Sequence, residues 1–243
     1  MIKSLFMILM CLGFAAPAFT ENGNQILIKV DRNLNPEAFE MYRKLINIEP
    51  GGFQKEFILF AVKKGRDKIA SVFLSPASEK GRATLRVGEN MWLYIPNVGK
   101  PIRITSLQSV TGGIFNNADI MRLDYSAEYD CDKIEKDKGL LILFLKAKTR
   151  QVAYDRVKMW VDAQKLLPTK IECIASSGML IKTLYFKKIR DFGGGLIRPT
   201  VIETDSPLHK GYKSVMIFAK MKPRDLPDEA FTLNFLPRVE SLR

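Results

Sequence analysis

Lys136-Asp137-Lys138-Gly139-Leu140-Leu141-Ile142-Leu143-Phe144-Leu145 is the stretch on which the fold turns. A charged turn ending in glycine runs straight into six consecutive apolar residues. That run is short for a helix and suits a strand covered on both faces. Outward from it, Val157, Met159 and Val161 alternate with Lys158, Trp160 and Asp162. Beyond a turn containing Pro168, Ile171, Cys173 and Ala175 resume the alternation. Period two with β-branched and aromatic side chains predicts strands. The same reading gives strands over 57–62, 69–74, 83–87 and 91–95 upstream, and over 179–186, 196–203 and 214–219 downstream.

Short turns separate these runs, among them Lys64-Gly65-Arg66-Asp67, Glu79-Lys80-Gly81 and Ser176-Ser177-Gly178. Many strands joined by tight turns make an antiparallel meander and not a βαβ fold. Helices are few: a short one over 25–32, a second over 118–123 capped by Asn116 or Asn117, and one turn over 226–231. The apolar side of such a sheet has to be covered. Two packed layers and one sheet curled around a cavity both satisfy that need, and periodicity does not choose between them.

Lys3 followed by an apolar core over 5–14 and Ala16-Pro17-Ala18 has the form of an export signal, with cleavage expected after Ala18. The core is too short to span a bilayer, which takes about 20 residues. Residues 19–243 then form the expected single domain, since no Pro/Gly/Ser linker divides them. The chain carries a formal charge of +12, which suits anionic lipid headgroups or acidic partners. Nucleic acid is a poor partner for an exported protein. Cys131 and Cys173 remain after cleavage, and an oxidising compartment permits them to pair.

Catalytic signals are weak. The one histidine, His209, lies in a polar turn with no nucleophile elbow nearby. One histidine and scattered cysteines do not make a zinc site, and no other metal or cofactor is expected. Asp130, Asp132, Glu135 and Asp137 alternate with lysines and lack the glycine of a calcium loop, so a solvated charged turn is expected. Asp119 and Asp124 are marked by nothing beyond capping and solvation. Lys63, Lys64, Arg66 and Lys68 read as a solvated basic hairpin tip.

Four stretches resemble the LolA-like outer-membrane lipoprotein-sorting family. They are Gly88-Glu89-Asn90-Met91-Trp92-Leu93-Tyr94-Ile95-Pro96; Gly112-Gly113 through Phe115-Asn116-Asn117-Ala118-Asp119-Ile120; Met159-Trp160-Val161-Asp162 with Leu167-Pro168-Thr169-Lys170-Ile171-Glu172; and Leu226-Pro227-Asp228-Glu229-Ala230-Phe231-Thr232. The resemblance implies a mainly β fold: a single curved antiparallel sheet of about eleven strands, half-open, with short lid helices around an apolar cavity. It implies a periplasmic, monomeric carrier of lipoprotein acyl chains or another lipid. Such a carrier receives cargo from an inner-membrane ABC-type or resistance-nodulation-type exporter and passes it to an outer-membrane acceptor. A lipid-sensing or interaction module of the same fold is the alternative, and a hydrolase built on His209 the weakest. The expected cavity lining is Trp92, Tyr94, Leu141, Leu143, Leu145, Trp160, Ile171 and Leu184. The sequence departs from the family at Ser75-Pro76, where the best-characterised carriers place a basic residue before the proline.

Overall fold

The computed structural model describes residues 22–109 and 111–243; the expected export signal lies outside them. Helix α1, Gly23–Leu34, leads into β1 Ala38–Ile48, β2 Gln54–Lys64, β3 Lys68–Ser75, β4 Ala83–Val87, β5 Asn90–Tyr94 and β6 Ile102–Ile104. Two single-turn helices follow, α2 Asn117–Ile120 and α3 Tyr125–Glu128. Then come β7 Tyr129–Asp137, β8 Leu140–Ala147, β9 Arg156–Asp162, β10 Pro168–Ile174, β11 Leu180–Asp191, β12 Ile197–Asp205 and β13 Lys213–Pro223.

All thirteen strands belong to one open antiparallel sheet, in the order β6-β5-β4-β3-β2-β1-β13-β12-β11-β10-β9-β8-β7. Two meanders, one from each half of the chain, are joined where β1 pairs with β13, with Leu45 opposite Met216. The single curled sheet is therefore the solution adopted. It has more strands than the expected eleven. Three were not predicted from the alternation: β1, β6 and β7.

Each of the three has a physical reason. Strand β1 puts Phe39, Met41, Arg43, Leu45 and Asn47 on one buried face, so two polar residues interrupt its apolar phase. Strand β6 is three residues long. Strand β7 is the acidic segment read as a turn. It is an edge strand, and charges along an edge discourage pairing with another chain.

Helices α1, α2 and α3 cover the concave face. Ile26, Leu27, Val30 and Leu34 of α1 and Ala118, Ile120, Met121 and Tyr125 of the central segment share one apolar core with the inward residues of the strands. Asn22 caps α1, and Asn116 and Asp119 form a reciprocal capping box on α2. A second core lies on the convex face of the first meander. There Leu226, together with Ala230, Phe231, Leu236 and Val239 of two 3-10 turns, Asp228–Phe231 and Leu236–Leu242, packs on Phe60, Val72 and Leu85.

Candidate functional site

Between the concave face of β1, β11, β12 and β13 and the lid lies a hollow, lined by Leu34, Met41, Phe115, Leu184, Met216 and Phe218 among others. Its atom-free volume is about 630 Å³ with the mouth included, but a water molecule's centre reaches only about 60 Å³ of it. The smaller figure is the one to set against small-molecule sites of roughly 300–1,000 Å³, and it falls well short of them. The rest of the empty space is open mouth and crevice too narrow for a water molecule, so this closed form has no room for an acyl chain.

Of the eight expected lining residues, Leu184 borders this hollow. Leu141, Leu143, Leu145 and Ile171 face the same concave side, but as closed core in the cluster that also holds Ile26, Leu27 and Val30 of α1. Trp92, Tyr94 and Trp160 do not line it; they point the opposite way. On β5, Met91 enters the concave core, and strict alternation turns Trp92 and Tyr94 outward beneath the C-terminal segment. On β9, Val157, Met159 and Val161 face inward, and Trp160 packs outside under Lys170, 3.8 Å from its ring centre, and Lys158.

Cys131 and Cys173 are free, contrary to the possible disulfide. They lie on β7 and β10, three strand spacings or roughly 14 Å apart along the sheet. A disulfide tolerates about 4.4–6.8 Å between Cα atoms.

The sequence reading missed the charges that face inward. Lys63 of β2 reaches Asp124 at 2.6 Å, and Arg32 of α1 pairs with the same carboxylate from the other side. Lys182 of β11 reaches Asp119 at 2.7 Å, and Arg122 meets Asp119 at 3.0 Å and Glu128 at 3.2 Å. Arg86 of β4 pairs with Glu128 and also donates to the Met121 carbonyl. Burial pushes the Asp119 carboxyl up, but the charges of Lys182 and Arg122 outweigh it and hold the group below its usual range. Asp119 and Asp124 are therefore buried anchors of the lid. The basic hairpin tip is likewise tied down: besides Lys63, Arg66 donates to the Ser126 carbonyl, and Lys64 and Lys68 pair with Asp228. A sequence signal existed, because Lys63 continues the Phe57-Leu59-Ala61 phase and Lys182 precedes Leu184 in the inward phase of β11.

Two further cations border the hollow. Arg43 of β1 donates to the Ile120 carbonyl of α2, and Arg198 of β12 to the Leu34 carbonyl of α1 and the Asn35 side chain. The Arg198 guanidinium lies 4.2 Å from the Phe218 ring centre.

Asp31 joins the lid helices to each other, its carboxylate accepting from the Tyr125 and Ser126 backbone N–H groups, both at 2.8 Å. His209 is exposed in the loop between β12 and β13, beside Tyr212. Among the described residues no group of three or more His, Cys, Asp or Glu is placed to hold a metal, and no helix is long and apolar enough to cross a membrane.

A family model described only as uncharacterized protein-like matches residues 65–238. Among solved structures, the chain is similar to a LolA superfamily protein of Nitrosomonas europaea, with 30% identity over 88% of this chain and 99% of that one and a TM-score of 0.80. It shares its fold with a DUF1329 family protein of Desulfovibrio piger, at 22% identity over 88% and 97% of the two chains and a TM-score of 0.74. It also shares it with a domain of Vibrio parahaemolyticus assigned to outer-membrane lipoprotein sorting, at 19% identity over 89% and 98% and a TM-score of 0.73. Among curated proteins no sequence matches.

Proposed function

The chain belongs to the LolA superfamily, and from that membership we propose that it is a carrier, not an enzyme, which shelters acyl chains in the hollow beneath its lid. The observation that carries the reading is the hollow itself: a largely apolar concave wall closed by helices that side-chain ion pairs and hydrogen bonds hold against the sheet. Water opposes the movement of a free acyl chain. Each exposed CH₂ costs about 0.8 kcal/mol, so a chain of about 16 carbons costs on the order of 13 kcal/mol. A carrier has to hide most of that area and still give it up. A pocket that its own lid fills when empty meets both needs, because the side chains that leave on loading return on release. The small inner volume of the closed form requires the lid to move when cargo enters.

The export signal expected over residues 1–18 and the positive charge support a periplasmic site of action, beside anionic membrane surfaces. An inner-membrane exporter, of the ABC or resistance-nodulation type, is the proposed source of cargo, and an outer-membrane acceptor its destination. Mass spectrometry after native purification from the periplasm tests the carrier reading. A co-purifying acylated molecule that moves from donor to acceptor vesicles is expected. Protein that arrives empty and takes up no acyl chain sinks it. A stable complex with a membrane regulator, without transfer, favours the sensing module instead.

A further inference from the structure

The inward-facing cations divide into two sets. Lys63, Arg86, Arg122 and Lys182 each meet a carboxylate. Arg43 and Arg198 do not: among the described residues neither makes an ion pair, although both are 3% exposed and both border the hollow. Arg43 spends one nitrogen on the Ile120 carbonyl, and its Nε and Nη2 are buried without a partner. Arg198 is held by carbonyls, by Asn35 and by the face of Phe218. Phe218 stands opposite Arg43 across the β1–β13 ladder. Burial pushes Arg198 down to about 9, with the neighbouring charge of Arg43 adding to the effect, and burial pushes Arg43 down to about 10. Both remain cationic at neutral pH.

Holding the lid by its carbonyls does not need a charge. A neutral donor makes the same bond without the cost of desolvating an unpaired ion. Two guanidinium groups that repel each other beside a hollow whose lining carboxylate, Asp119, is already paired with Lys182 and Arg122 make physical sense when a third party brings the counter-charge. The planar fork of a guanidinium matches the oxygens of a phosphate or a carboxylate, and the two free nitrogens of Arg43 are the edge that such a group would take.

We propose that the hollow takes an amphiphile with an anionic head, and that Arg43 and Arg198 receive that head inside the cavity while the chain lies along the apolar wall. This rests on the carrier reading and narrows it. A ligand presenting only ester- or amide-linked chains brings no charge to the pair, so the cargo class is an acidic lipid, phosphate- or carboxylate-headed.

Calorimetric titration of the protein with dodecyl phosphate, dodecanoate and monododecanoylglycerol, each below its micelle concentration, tests it. The phosphate arm stands for a phosphate-headed lipid and the dodecanoate arm for a fatty acid. At least one of the two is expected to bind about tenfold or more tighter than the uncharged ester. In the paired substitution Arg43→Met with Arg198→Met, checked for its fold by circular dichroism, that ratio is expected to fall to about twofold or less. A second measurement needs no variant: the phosphorus signal of bound dodecyl phosphate should be shielded from a soluble gadolinium chelate. Equal binding of all three probes overturns the inference and leaves the carrier reading standing. Failure of every probe to bind overturns both. A preference that survives the paired substitution, or a phosphorus signal relaxed as in free amphiphile, assigns the head to the basic exterior and overturns the inference alone.

Discussion

Lys63 Nζ lies 2.6 Å from Asp124 Oδ1 with both side chains sealed from solvent, at 1% and 0% exposure. Lys63 belongs to the sheet and Asp124 to the turn that starts α3, and Arg32 brings α1 to the same carboxylate. One acidic group thus ties the sheet to two lid helices. Replacing Asp124 by Asn leaves buried Lys63 without its direct ion-pair partner, whereas Arg32, one-third exposed, turns to Glu37, which it already contacts. Loss of one partner of a buried pair costs about 3–5 kcal/mol. Urea unfolding should show that loss for Asp124→Asn, and adding Lys63→Met should restore most of it. A single variant within about 1 kcal/mol of the parent would mean that the pair does not hold the lid.

How far the sequence discloses this arrangement depends on what each residue was doing in its strand. Ten of the strands were legible, because apolar residues there keep period two or run unbroken, as at Leu140 to Leu145. Strand β1 was not, because Arg43 and Asn47 occupy inward positions where the pattern calls for apolar groups. Arg43, one of the two residues that hid the strand, borders the hollow, and Asn47 holds the Thr111 and Gly112 carbonyls. Trp92, Tyr94 and Trp160 were misassigned for the opposite reason: aromatic character suggested a lining, while their own alternation with Met91, Leu93, Met159 and Val161 already put them on the other face. Pairings between distant segments, such as Lys182 with Asp119, depend on register across the sheet and leave no local mark.

Asp31 gives the lid a pH dependence of defined sign. Burial raises its carboxyl above its ordinary 3.8, and the hydrogen bonds from Ser126 and Tyr125 offset only part of that. The folded chain therefore keeps the proton at pH values where the unfolded chain has released it. The group's contribution to stability is complete below 3.8 and declines as pH rises through the raised folded value. Asn cannot titrate, so the stability of Asp31→Asn relative to the parent should improve with rising pH across that window and then level off. Each unit of upward shift corresponds to about 1.4 kcal/mol. Urea midpoints for both proteins between about pH 3.5 and pH 7 give the difference directly. Parallel curves, or a variant that loses stability relative to the parent as pH rises, contradict the assignment.

The two thiols of the chain lacking residues 1–18 should behave unequally. Cys131 is half-buried on the edge strand, whereas Cys173 is sealed in the concave core, where burial pushes its thiol up to about 12. The thiolate is the reactive form, so burial and a raised pKa both protect Cys173. Iodoacetamide under native conditions should label Cys131 and spare Cys173, and unfolding without a reductant should expose both. An oxidised pair, seen as two missing equivalents after unfolding, contradicts the free state found here.

Ile202 separates the job of the hollow from the stability of the fold. It sits on β12 opposite Phe186 of β11 and Met216 of β13, half-buried, with its side chain bordering the hollow. It makes no ion pair with the lid. Trp at this position extends into space that the wall leaves open, so it displaces cargo more than neighbouring atoms. Forcing extra volume into a packed core typically costs about 1–3 kcal/mol, and a site that opens onto a hollow belongs at or below the lower end. Ile202→Trp should therefore unfold within about 1 kcal/mol of the parent, while its uptake of an acyl-chain probe falls about tenfold or more. Val215, on the other face of β13, supplies the control: Val215→Trp should leave uptake unchanged. If Ile202→Trp folds normally and still loads like the parent, acyl chains enter elsewhere, and the hollow beneath the lid is a packing defect and not a binding site.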